Sequence, residues 1–238
     1  MTQYSADLHI HTVLSPCAEV EMIPPLIVSY AVEAGLDIIG ITDHNSAENV
    51  AAVIEAARGT SLKVIPGMEC ESTEGVHIVC LFDEVEDALR MQEIVYSHLP
   101  DLPNRAETFG AQFVVDAEGE FVRYNDRLLL ISTDLSLIEI ANHVLELNGF
   151  AFPSHIDRRS YGIYGVLGFL PEIPRFHALE ISRHITPEEA VTAYPDIGGR
   201  KIFQSSDAHR LSELGEARTM LDLEHRTVEE IRRLCLGL

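Results

Sequence analysis

Short apolar runs along this chain end in polar, chemistry-bearing residues, and amphipathic stretches separate one run from the next. Tyr4 to His11 reads as a strand that closes on the segment DLHIHT. Pro24 and Pro25 suit a first helical turn, Leu26 to Ala34 continue it, and Gly35 stops it. Asp37 to Thr42 is a buried strand ending at Asp43-His44, and Ala47 to Arg58 is a helix with Gly59 beyond it. Leu62 to Pro66 forms the next strand, followed at once by Gly67-Met68-Glu69. Val76 to Phe82 continues the pattern with His77 near its start, and Asp87 to Leu99 is a further helix.

Between residues 100 and 135 the rhythm breaks. Phe113-Val114-Val115 and Phe121-Val122-Arg123-Tyr124 flank Asp116 to Glu120, which predicts a hairpin. Beyond it come a helix at Ser136 to Leu147 and strands at Phe150 to Pro153, Ala178 to Ile181 and Lys201 to Ser205. A closing helix spans Thr227 to Leu236. This βαβα order predicts an α/β fold with a parallel sheet and helices outside, its site at the C-terminal ends of the strands. The expected organisation is one domain over residues 1–238, with an insertion at about 100–135 covering part of the rim.

Composition narrows the function. The 238 residues are 46% hydrophobic and 23% charged, as in an ordinary globular protein. The formal net charge of −21 disfavours wrapping of long nucleic acid, although bound divalent ions would let such a chain hold a small anion at one spot. Cys17, Cys70, Cys80 and Cys235 form no CxxC pair, and the opening residues lack a secretory pattern. A reducing cytoplasm with free thiols is expected. No apolar run approaches the roughly 20 residues of a membrane span.

The candidate chemistry is metal binding. His9 and His11, two apart on a strand, share a face and can clasp one ion. Asp7 is expected on the same face, accepting from a ligand imidazole. Asp43 reads as a helix N-cap or as part of a functional turn with His44. Glu69 can bridge two ions and His77 can hold the second, with Glu71 and Glu74 expected in solvent. His155 follows another strand, and Arg158 and Arg159 come soon after it, which suits a phosphate group. Asp207-x-His209 repeats the two-residue spacing. His98, His143, His177, His184 and His225 are left out of the set.

DLHIHT, TDH, PGMECES with His77, PSHIDRR and SSDAH, in that order, resemble the PHP (polymerase and histidinol phosphatase) family from Asp7 to about Gly215. The resemblance implies a distorted seven-fold β/α barrel with a small β-hairpin insertion and two or three divalent ions at its mouth. His9, His11, Glu69 and Asp207 would surround one ion, and Glu69 would bridge to a second on His77 and His155. His44 and His209 would hold a third. Cys17 falls where some relatives place a histidine, and a thiolate there favours zinc or iron over magnesium, manganese also being a candidate.

The activity so implied is hydrolysis of a small phosphate ester by a metal-bridging hydroxide, with Asp207, His209 and Arg158 as catalytic residues. The partner is then a small phosphorylated substrate, with a short oligonucleotide as an alternative and no membrane. Other metal-dependent hydrolysis (amide or deamination chemistry) and a non-catalytic phosphate- or nucleotide-binding module are the competing readings.

Overall fold

Three parallel strands set the frame of the computed structural model, which describes residues 1–238. They are β1 (Thr2–Ile10), β2 (Ile38–Ile41) and β3 (Lys63–Glu71), linked by helices α1 (Pro24–Glu33) and α2 (Val50–Ala56). There follow β4 (His77–Leu81), α3 (Val85–His98), α4 (Ala106–Phe109), β5 (Phe113–Val115) and β6 (Phe121–Tyr124). Next come α5 (Leu137–Glu146), β7 (Phe150–Pro153), α6 (Ile163–Leu167), β8 (Ala178–Ile181) and α7 (Pro187–Ala193). The chain closes with β9 (Lys201–Gln204), β10 (Thr219–Leu223) and α8 (Val228–Leu236).

The sheet is mixed rather than parallel throughout. Its order is β10-β1-β2-β3-β4-β7. Pairing is parallel from β1 to β3 and antiparallel where β10 meets β1, β4 meets β3 and β7 meets β4. Parallel β8 and β9 make a separate pair, and Ile10 bridges Ala208 just beyond β9, so the strands curl toward β1 as in a β/α barrel.

The antiparallel β3–β4 turn corrects the expectation of helical crossovers. Gly75, at φ 81°, and the bond from its N–H to the Ser72 carbonyl fold the chain straight back. Glu69 therefore lies inside a nine-residue strand, not after one. Strand β10, missing from the sequence reading, alternates buried and exposed residues along Thr219–Leu223.

Hydrophobic burial holds the sheet from both sides. One cluster joins Ile39, Ile41, Val64 and Ile78 to Ile27 of α1, Val53 of α2, Met91 of α3 and Ile140 of α5. The other joins Leu8, Ile38, Ile65, Val79, Phe152 and Phe203 to Val228 and Ile231 of α8. Truncating one of these buried leucines, isoleucines, methionines or phenylalanines to alanine costs about 2–5 kcal/mol. Gly40 lets β1 and β2 approach, since a Cβ there would stand 2.4 Å from the Leu8 carbonyl oxygen.

Local signals explain the helix ends. Ser136 and Glu139 form a capping box that starts α5, worth about 1 kcal/mol. Helix α2 is preceded by Asn49, not by Asp43, so the N-cap reading of Asp43 fails. Strands β5 and β6 pair as a hairpin. Asn49 anchors it, donating to the Phe113 carbonyl and accepting from the Val115 N–H, and the hairpin thereby lies beside the loop after β1. No helix is long and apolar enough to cross a membrane.

Candidate metal centre

The imidazoles at the end of β1 are oriented from behind. A carboxylate only accepts, so His9 Nδ1 donates to Glu180 Oε1 at 2.9 Å. Ser15 Oγ donates to Asp43 Oδ1 at 2.6 Å and hence accepts from His11 Nδ1 at 3.0 Å. Each Nδ1 thereby carries a proton, and the two Nε2 atoms face each other at 3.2 Å. Two bare lone pairs at that separation would repel; in the metal-free protein a second proton on His9 relieves this, and a bound cation would take that proton's place.

Carboxylate oxygens complete the same small space. His9 Nε2 lies 3.3 Å from Glu69 Oε1 and 3.4 Å from Asp207 Oδ1, and His11 Nε2 lies 3.0 Å from Asp207 Oδ1. Donors bound to one tetrahedral ion at about 2.0–2.1 Å stand about 3.3–3.4 Å apart. The spacing thus fits a shared divalent cation.

Glu69 sits at the hub. His77 Nδ1 and His155 Nε2 approach its Oε1 at 3.0 and 3.2 Å, and His44 Nδ1 approaches its Oε2 at 3.1 Å. The His77 contact is too poorly aligned to be a hydrogen bond, which leaves Nδ1 buried without a partner. His11, His44 and His209 form another group able to hold an ion, as do His44, Glu69 and His77. At the open side, His209 Nδ1 donates to the Asp207 carbonyl, and its Nε2 faces Cys17 Sγ at 3.1 Å. Arg158 Nη1 reaches Asp207 Oδ2 at 2.6 Å.

All nine residues expected as ligands, together with Arg158, converge on this place. The excluded histidines lie elsewhere: His98 pairs with Asp134, His143 lies near Glu146, and His184 and His225 are exposed. Three expectations need correction. Asp7 does not support a ligand imidazole, because the register with β2 shifts between Asp7 and Ile10 and breaks strict alternation. Its carboxylate instead accepts from the Ser206 and Gly215 N–H groups. Asp43 braces the centre from behind. Glu71 is half-buried and accepts from Ser132 Oγ, so it is not a solvated carboxylate.

Electrostatics follow the geometry. Burial alone would lower the pKa of His9, but Glu180, Glu69 and Asp207 outweigh it and hold it well above the usual value. His77 is likewise raised, burial being overcome by Glu69. His11 is held well below, by burial and by the neighbouring His209 and His44. Burial opposes ionisation of Glu69 and Asp207, yet the imidazoles keep both well below the ordinary carboxylate range.

Backbone strain collects at the same place. Asn45, His155, Tyr161 and Asp207 all adopt positive φ, which costs a non-glycine residue about 1–2 kcal/mol. A cavity of about 300 Å³ opens over the donors. A larger one of about 750 Å³, between α5 and α8, contains no such donor cluster. Two contributors escaped the sequence reading. Glu180 was visible as the one charge within the apolar run Ala178–Ile181, whereas Tyr161, stacked on His77, carried no signal.

Comparison with known proteins agrees with this geometry. The sequence matches the PHP domain family over residues 7–159 and a PHP-associated family over residues 199–234. Comparison with curated proteins gave no match. Among solved structures, the lesion-specific endonuclease PfuEndoQ from Pyrococcus furiosus superposes over 100% of this chain with a TM-score of 0.77 at 20% identity. The chain spans only 56% of that protein's length. A putative metal-dependent phosphoesterase from Bifidobacterium adolescentis gives 0.57 at 18% identity, covering 98% of this chain and 95% of its own. An amidohydrolase from Chromobacterium violaceum with bound sulfate gives 0.59 at 17% identity, covering 98% and 96%. The chain belongs to the PHP family.

Proposed function

We propose that this chain hydrolyses a phosphate ester at a centre of two or three divalent ions. His9, His11, Glu69 and Asp207 would hold one ion. Glu69, His77 and His155 would hold a second, and His44, His209 and Cys17 a third. Ions bound there would supply Lewis acidity and lower the pKa of water toward neutrality. The soft sulfur of Cys17 beside His209 favours zinc or iron over magnesium. The four free thiols support a reducing, cytoplasmic setting.

One observation carries the choice of phosphate. In a chain with only 17 basic residues, the Arg158 guanidinium lines the cavity over the donors, 2.6 Å from Asp207. A guanidinium offers paired N–H groups that match phosphoryl oxygens and offset their charge. Asp207 meets His11 through Oδ1 and Arg158 through Oδ2, and so ties this clamp to the metal ligands. His209 faces the cavity through Nε2, placed to hold the third ion or, when protonated, to hand a proton to the leaving oxygen.

The test is hydrolysis of small phosphoesters by metal-loaded protein, with inorganic phosphate as a competitive inhibitor. Activity should vanish in His9→Ala and Asp207→Asn. Activity that survives both replacements, or indifference to phosphate, contradicts the reading and favours amide or deamination chemistry. A second reading is phosphodiester cleavage at a damaged nucleotide, supported by the whole-chain likeness to the lesion-specific endonuclease. The net charge of −21 counts against this chain gripping a duplex by itself. Turnover of lesion-bearing oligonucleotides, with small esters untouched, would favour that second reading.

A further inference from the structure

The cavity over the metal centre is not polar on every side. Beyond the imidazoles and Cys17, its lining includes two side chains that offer ring or hydrocarbon surface, Leu130 and Tyr161. Each is held there by a specific device. Asn45, at φ 50°, donates from Nδ2 to the carbonyls of Leu129 and Ile131, both at 2.9 Å, and so fixes the backbone on either side of Leu130. Tyr161, at φ 63°, receives the His77 N–H on its carbonyl at 2.9 Å. Its ring stacks on the His77 imidazole with centroids 4.4 Å apart and planes 18° from parallel.

That stack covers one face of the phenol ring and leaves the residue 47% exposed. An exposed aromatic ring lining a binding cavity can serve as a stacking platform for a flat partner. Arg158 and Tyr161 also ride on one short loop. A Cβ at Gly162 would lie 2.4 Å from the Arg158 carbonyl oxygen, so the loop is folded tightly on itself. The group that would meet a phosphate and the ring that would meet its substituent are thus held at a fixed offset.

We propose that Tyr161, with Leu130 beside it, determines specificity by stacking on a planar ring in the substrate. The substrate class is then a phosphate ester whose alcohol carries a flat heterocycle, as a nucleoside does, rather than a bare sugar or polyol phosphate. This deepens the phosphoesterase reading and rests on it for the role of Arg158. Tyr161 makes no contact with the reacting atoms in this account. It selects the substrate.

Adenosine 5′-monophosphate and ribose 5-phosphate share the same phosphate and leaving oxygen and differ in the base. Titration calorimetry of both into metal-loaded wild-type protein, Tyr161→Phe and Tyr161→Leu separates the possibilities. Wild type should bind the nucleotide about tenfold more tightly, Tyr161→Phe should keep that ratio, and Tyr161→Leu should bring it near one. Metal content measured on each variant shows whether the His77 stack matters only for folding of the centre. Equal affinities in wild type, no binding of either compound, or a ratio that survives Tyr161→Leu overturns the proposal. Turnover of the same pair judges the other reading separately. Base-dependent binding without hydrolysis defeats the phosphoesterase assignment and keeps the platform.

Discussion

The two halves of the metal centre are built differently. The inner half, His9, His11, Glu69 and Asp207, is nearly inaccessible to solvent. Each of its two imidazoles has its outer nitrogen tied to a second residue, Glu180 for His9 and the Ser15–Asp43 pair for His11. In the outer half Cys17 is exposed, and Arg158 and Tyr161 are substantially so. There the partners are single contacts or stacks. Rigid support suits groups that must present lone pairs to an ion without rearranging. Exposure suits groups that must meet a substrate and release a product. On the proposed function, the centre divides into a holder of ions and a reader of substrate.

Breaking the holder should have the largest effect. Glu180→Ala frees the His9 ring and leaves its Nδ1–H buried without an acceptor. Metal affinity should fall about 10–100-fold, read by competition with a chromophoric chelator, with activity following metal content. An unchanged affinity would remove Glu180 from the account. Breaking the reader should separate from this. Arg158→Met should retain its ions while KM for a phosphate ester rises about tenfold, as expected for loss of a charged hydrogen bond. Loss of metal in that variant would erase the division between the halves.

Acid should act on the holder first. Despite burial, the carboxylates keep His9 and His77 protonated above their ordinary range in the metal-free protein, so an entering ion must displace those protons. Metal affinity should therefore fall as pH is lowered through neutrality, about tenfold per unit for each proton displaced. His11, already held neutral, should contribute none of that slope. Calorimetry in buffers of different ionisation enthalpy counts the protons released, and a flat profile between pH 6 and about 8 would contradict the assignment. The smallest effect is expected at Cys17. Cys17→Ser should change turnover only a few-fold, yet cobalt-loaded protein should lose the near-ultraviolet band of a thiolate–metal bond. An identical spectrum would exclude the sulfur as a ligand.

The holder was more legible in sequence than its supports. His9, His11 and Asp207 stand beside apolar runs, and period-two spacing flags them without any fold. Glu180 reaches His9 from 171 residues away, a contact that only the curling of the sheet creates. The shift between Asp7 and Ile10 is equally silent in a periodicity that assumes perfect alternation, so spacing alone predicts for Asp7 an imidazole partner in place of the Ser206 and Gly215 N–H groups. The Ser72 to Gly75 turn did carry a signal, since a glycine between two short apolar strands marks a hairpin. Reading it as one more crossover gave the sheet the wrong polarity at β4. Tyr161 lies on an irregular loop with no period to betray it.

The most direct test of the central claim is elemental analysis of protein prepared without chelators, alongside His9→Ala and Asp207→Asn with their folding checked by circular dichroism. The account predicts about two to three equivalents of zinc, iron or manganese in wild type and the loss of at least about one equivalent in each folded variant. Trace metal in wild type, or full occupancy that survives both replacements, would contradict it.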